Sequence, residues 1–220
     1  MSESFRENLK KFNRKERFYV VRQATKSGFE LDGEFKKLLE KELKISIPEQ
    51  NVFMAMDYHF DWIYASLFLC SQTTNSNNNK YALDPKLITA TQQDVDLLIA
   101  APDPTNPMIT NLIMVEAKGD TSWTNKQASA KAERLNKIFV SGSFEQIIRP
   151  YYLIWSPNPS EKLEFKSFPV WAKREGKVPH IKLNMDENLV KITRCDEAGK
   201  DAIKGKFWKV DKVGKKVIQD

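Results

Sequence analysis

The apolar positions of this chain change period several times, and each change marks the border of an element. Phe5, Leu9 and Phe12 recur at helical spacing within the charge-rich residues 1–26, which predicts an amphipathic helix leading into FYVVRQA. From Phe29 to Leu43, Leu31, Phe35, Leu38, Leu39 and Leu43 form one stripe interleaved with Lys and Glu, as in a surface helix packed on one side. Pro48 ends that unit. The run NVFMAMDYHFDWIYASLFLC that follows is apolar nearly all round, and its length predicts a buried helix carrying Asp57 and Asp61 one turn apart on one face. A carboxylate on a buried helix needs a partner, so the simplest roles are a helix cap for Asp57 and a backbone or Arg donor for Asp61, with a place near a site as the alternative.

SQTTNSNNNK, residues 71–80, is polar and low in complexity and reads as a loop. Two short apolar runs come next, QQDVDLLIAAPD and NLIMVEAKGD, separated by a turn containing Pro102, Pro104 and Pro107. Neighbouring strands joined this way predict an antiparallel hairpin. TNKQASAKAERLNKIFV then predicts a helix with Ala128, Ala132, Leu135 and Phe139 on one side, and IRPYYLIWSP predicts a central strand. Beyond Pro159, short strands are expected around Phe165 to Trp171, Leu189 to Thr193 and Phe207 to Val213. The order helix, helix, strand, strand, helix, strand places the chain in the α/β (α+β) class. It divides into a core with an N-terminal helical segment over 1–160 and a small, basic, β-rich appendage packed on it over 161–220.

With 220 residues, 41% hydrophobic, the chain is long enough to bury a substantial core and is no disordered polymer. Its two Cys and two His exclude a disulfide framework and a tetrahedral zinc site. No apolar h-region follows the N-terminal charges, and Trp62 to Cys70 is too short to span a bilayer, so a soluble, cytoplasmic protein without a membrane partner is expected. The net charge of +6 is unevenly distributed: +3 over residues 1–50, −5 over 51–120 and +8 over 121–220. An acidic middle between basic flanks fits a polyanionic partner held around a metal-binding centre.

The acidic middle contains the candidate chemistry. Asp94 and Asp96 open the first hairpin strand, and Glu116, Ala117 and Lys118 close the second. The start of one antiparallel strand lies beside the end of the next, so Asp96 and Glu116 are expected to be neighbours. Glu116 and Lys118, two apart, project from the same face. Two carboxylates with the Ala117 carbonyl between them offer hard oxygen ligands to Mg²⁺, with Mn²⁺ as a substitute. Such an ion polarises phosphate and acidifies water, and an adjacent ammonium orients that water or stabilises developing charge.

VDLLI, a modest turn, IMVEAKGD and a helix with an early glutamine together resemble the restriction-endonuclease-like nucleases, the PD-(D/E)XK superfamily. The resemblance covers roughly residues 29–157 and implies a mixed central sheet flanked by helices. It also implies a Mg²⁺-dependent nuclease acting on DNA, with RNA left open, in which Asp96 and Glu116 bind the metal and Lys118 assists the attacking water. Val95 stands where members often have Pro, which leaves Asp94 as a competitor of Asp96. A glutamate on the first helix corresponds best to Glu34, with Glu30 and Glu42 as competitors, and the glutamine on the helix after the E-x-K strand corresponds to Gln127. Lys131 and Arg134, on the same helical side, become candidates for holding the DNA backbone. Many members act as homodimers, and nothing in this sequence decides that point.

Simpler roles compete at several positions. His59 and most Trp and Tyr residues suit a packed core. Trp123, in the polar turn GDTSWTN, suits base stacking or local packing equally. The C-terminal lysines around Trp208 suit a solvated face or phosphate contact. The alternative to a nuclease is a catalytically inactive protein of the same fold that binds nucleic acid or assembles with a partner.

Overall fold

In a computed structural model the chain is described for residues 3–12, 16–24, 29–71, 80–91, 93–119, 125–140, 144–159, 165–185 and 190–212. The helices are α1 (Phe5–Phe12), α2 (Glu16–Ala24), α3 (Gly33–Leu43), α4 (Phe60–Ser71) and α5 (Asn125–Val140). The strands are β1 (Phe53–His59), β2 (Asp94–Pro102), β3 (Thr110–Ala117), β4 (Ile148–Ser156), β5 (His180–Lys182), β6 (Val190–Cys195) and β7 (Phe207–Lys212).

The Pro-punctuated hairpin of β2 and β3 forms the middle of a five-stranded sheet ordered β1-β2-β3-β4-β5. β1, β2 and β3 run antiparallel, whereas β4 joins β3 in parallel through the crossover helix α5 and β5 joins β4 in parallel. Helices cover both faces of this mixed sheet. On one, Leu39 and Leu43 of α3 pack with Ile99, Ile113, Val115 and Leu153. On the other, Phe5 and Leu9 of α1, Ile63 and Leu67 of α4, and Ala128, Ala132 and Leu135 of α5 pack with Leu98, Leu112, Met114 and Tyr152. β3 is buried on both faces from Thr110 to Glu116, which explains why its sequence is a continuous apolar run instead of an alternation. Among the described residues, no helix is long and apolar enough to cross a membrane.

α3 begins where Asp32 accepts hydrogen bonds from the N–H groups of Glu34 (3.0 Å) and Phe35 (2.9 Å). It ends at Lys44 in the left-handed conformation, φ 54°. Phe35 stacks on Trp155 of β4, ring centroids 4.5 Å apart, and so fixes the start of the helix against the sheet.

The run from Phe53 to Ser71 is not one buried helix. Its first part is β1, paired with β2 from Phe53↔Ala100 to His59↔Asp94, and only Phe60 onward is helical. A segment apolar all round has no period of its own, and the available partner edge of β2 decides its conformation. Asp57 therefore lies in a strand, with φ 49°, and neither caps α4 nor sits one helical turn from Asp61. The expected strand near Phe165 to Trp171 is instead two single 3-10 turns, Phe165–Ser167 and Val170–Ala172. Phe168, Ala172 and Val178 are buried in the main core, and β5 completes the sheet. The central unit thus continues past the boundary expected at residue 160.

β6 and β7 form a separate two-stranded antiparallel sheet. The connection between them returns so closely that a Cβ on Gly205 would lie 2.1 Å from the Cys195 carbonyl oxygen, so only glycine fits there.

Candidate active site

The pairing of β2 with β3 runs from Pro102↔Thr110 to Leu97↔Val115 and then stops. One more step would set Asp96 against Glu116. There the Asp96 carboxylate accepts the Ala117 N–H at 2.6 Å and takes the place of a backbone acceptor. β3 stays with β4 beyond that point, pairing Glu116↔Ile154 and Ala117↔Trp155, and the Lys118 N–H donates to the Trp155 carbonyl at 2.9 Å. The two central strands thus part at the position where both carboxylates emerge. The hairpin brings together Asp96 and Glu116 as their placement on antiparallel strands requires.

Glu116 follows Leu112 and Met114 on the face covered by α5, and only 3% of its side chain is exposed. Lys131, four residues beyond Gln127 on α5, places its ammonium on Glu116 Oε1. Glu116 Oε2 is buried with no hydrogen-bond partner among the described residues. Burial pushes the carboxyl pKa up to about 7, against the pull of the Lys131 ammonium; Asp96 adds to the rise and Lys118 opposes it. Lys118 is half-buried and close enough for its charge to act on Glu116.

Tyr152 is a member of this group that the sequence reading did not single out. It lies on β4 opposite Met114, fully buried, and its hydroxyl has no hydrogen-bond partner among the described residues. Burial raises its pKa well above the ordinary value, and the charges of Glu116 and Asp96 raise it further. One tyrosine inside the apolar run YYLIW looks like any core aromatic. Only the register against β3 shows that it neighbours the carboxylates.

The other candidates are placed differently. Lys131 is the counter-ion of Glu116 and not a free contact for a nucleic-acid backbone. Arg134 is buried, its guanidinium held by Asp61, the Thr89 hydroxyl and the Leu87 carbonyl (2.7 Å), so it cannot serve as a phosphate contact at the surface. Asp61 also accepts the Ala90 N–H at 2.8 Å, which is the backbone-and-Arg satisfaction anticipated for it. Asp57 lies level with Asp96 between the pairs Met56↔Leu97 and Tyr58↔Val95, and its carboxylate is ion-paired with Arg17 at 3.0 Å.

Glu34 is on α3, across the sheet from Glu116, with its carboxylate on Lys37 and 81% of its side chain exposed. Its competitor Glu42 accepts the His180 N–H at 3.4 Å, and Glu30 is exposed. Gln127 is exposed on α5, one turn before Lys131. Asp94 stands opposite His59 in the β1–β2 register, and His59 packs on Trp62, centroids 4.5 Å apart. Trp123 lies outside the described residues.

Among the described residues, no group of three or more His, Cys, Asp and Glu side chains is arranged to hold a metal ion. The donors at the fork are two carboxylates. Two suffice for Mg²⁺, which keeps several waters and completes its shell with substrate phosphate oxygens. The orphaned Oε2 of Glu116 is a buried acceptor that only a proton, a water or a cation can satisfy. The donor set therefore fits a hard divalent cation, with Lys131 as a resident competitor. Comparison of the chain with protein-family models, with curated proteins and with solved structures finds no match.

Proposed function

We propose that this chain is a metal-dependent nuclease of the restriction-endonuclease-like type, hydrolysing phosphodiester bonds of DNA. The observation that carries the reading is the fork of β2 and β3, where Asp96 and a buried Glu116 with one unpartnered oxygen stand within reach of two lysines. The order of elements supports it as well: a helix, a mixed sheet carrying the aspartate and the E-x-K glutamate on adjacent strands, a crossover helix and a parallel strand.

Asp96, Glu116 and the Ala117 carbonyl would hold Mg²⁺. Bound there, the ion would supply positive charge to a phosphate oxygen and acidity to a water. The remaining work belongs to the chain. Asp96 is oriented by the Ala117 N–H and cannot swing away without losing that bond. Lys131 holds one oxygen of Glu116 and so presents the other. Lys118, on the same face two residues on, orients the attacking water or balances charge on the phosphate. Tyr152 lies near enough to feel the charges of Glu116 and Asp96, and its buried hydroxyl has no hydrogen-bond partner among the described residues.

One observation favours a second reading, in which the fold binds nucleic acid without cutting it. Lys131 already neutralises Glu116, and an ammonium in the place of a metal is what an inactive descendant would retain. Calorimetric titration with Mg²⁺ or Mn²⁺ at pH 8, where Glu116 is ionised, separates the two. The nuclease reading predicts binding to the wild type that Glu116→Ala abolishes. No binding, or binding indifferent to the substitution, would favour the inactive protein.

A further inference from the structure

Among the described residues, one face of the β6–β7 sheet is left exposed. The register sets Ile192 against Val210 and Arg194 against Trp208, with Val190 next along the same face. The four apolar side chains are 56–72% exposed. An isolated two-stranded sheet gains little from leaving such residues in water, and a contiguous apolar patch of this kind marks a contact surface.

Charge identifies the partner. Residues 190–212 contain seven Lys and Arg and four Asp and Glu, a net of +3. Lys209 is engaged by Asp201 at 2.8 Å, and Arg194 donates to the Gly205 carbonyl at 2.9 Å, which holds its guanidinium beside Trp208. Lys204 and Lys206 lie in the turn and at the entry to β7, and both are exposed. Two copies of so basic a face repel each other. A nucleic-acid duplex satisfies the lysines but hides its base faces, and leaves Trp208, Ile192 and Val210 in water. An unpaired strand satisfies both halves of the surface, because its phosphates meet cations while its bases offer flat apolar faces to an indole.

We infer that this face binds single-stranded nucleic acid, with a base stacked on Trp208 and phosphates on Arg194, Lys204 and Lys206. The inference rests on the proposed function for its purpose and adds to it the form of the substrate: an unpaired strand or a junction with one. The binding itself is independent of the metal site.

The test uses the full chain in EDTA, so that no hydrolysis occurs, and fluorescence anisotropy of a dye-labelled oligothymidylate of about twenty nucleotides. Trp208→Ala is expected to weaken binding roughly tenfold and Trp208→Phe, which keeps an aromatic face, to restore most of it. Lys204→Gln combined with Lys206→Gln is expected to lower the slope of log affinity against log salt by about 1.4, two single-strand phosphates' worth. A duplex of equal length is expected to bind with no dependence on Trp208.

The inference is overturned if Trp208→Ala binds like the wild type, or if duplex binding is equally sensitive to it. It also falls if light scattering shows a dimer that Trp208→Ala dissolves, or if an acidic polypeptide displaces the wild type and Trp208→Ala equally well. Failure here is distinguishable from failure of the nuclease reading. Binding through Trp208 without cleavage in Mg²⁺ sinks only the latter, and cleavage without Trp208-dependent binding sinks only the former.

Discussion

Glu116→Gln will stabilise the folded protein at pH 8 by about 3 kcal/mol while removing the proposed nuclease activity, and will leave stability at pH 4 nearly unchanged. The sign follows from proton binding. The carboxyl titrates near 4.5 when the chain is unfolded and at about 7 when folded, because burial disfavours its charge more than Lys131 favours it. Between those values the folded state holds a proton that the unfolded state has lost. Stability therefore falls as pH rises through the window from 4.5 to 7, and the loss is complete above about 7. The difference between the two pKa values corresponds to about 3 kcal/mol. Glutamine mimics the protonated carboxyl, so the variant should show no decline over this window from this site. Urea unfolding of both proteins at pH 5, 6, 7 and 8 measures this directly. Parallel curves would mean that Glu116 is not held in the dry, weakly compensated state that makes it a candidate ligand. A group that destabilises the fold in the form needed for chemistry is the trade expected of a functional site and not of a surface ion pair.

Asp61→Asn is expected to act in the opposite direction, destabilising the protein by about 3–5 kcal/mol and lowering the melting temperature by roughly 10 °C. Asp61 joins three pieces of chain: its own helix α4, Arg134 on α5 and the N–H groups of Thr89 and Ala90. Arg134 is only 6% exposed, so removing its carboxylate leaves a buried guanidinium with the Leu87 carbonyl and the Thr89 hydroxyl alone. Replacing both charges, Asp61→Asn with Arg134→Met, should recover much of the loss, because the penalty lies in the uncompensated charge. A loss below about 1 kcal/mol in the single variant would show that the pair is solvated and that Arg134 is available to a ligand after all. Metal affinity of the folded single variant should match the wild type, since Asp61 belongs to the framework and not to the fork.

These two carboxylates also show how far the sequence could be read. Glu116 and Asp96 were legible because two short apolar runs broken by prolines have one simple arrangement, and an antiparallel pair brings the start of one to the end of the other. Asp61 was legible only as a charge in need of a donor. Its partner Arg134 follows 73 positions later on a helix whose facing is set by the crossover from β3 to β4. The same crossover turned Lys131 inward to Glu116, where amphipathic spacing alone left it as a surface cation. Asp57 was misplaced because FMAMDYH and the helix after it are equally apolar, and only the distant strand β2 distinguishes them. β5 escaped notice because three residues, His180 to Lys182, are too few for any period to appear.

The most direct test of the account is one cleavage experiment. Wild type and Glu116→Gln are incubated at pH 8 with labelled single-stranded, duplex and forked DNA and with RNA, in Mg²⁺ and in EDTA. Phosphodiester cleavage by the wild type is expected in Mg²⁺ and none in EDTA, with a rate at least about 10³-fold lower for the variant although it is the more stable protein. Cleavage that survives Glu116→Gln, or a wild type inert on every substrate while binding the metal, would contradict this account.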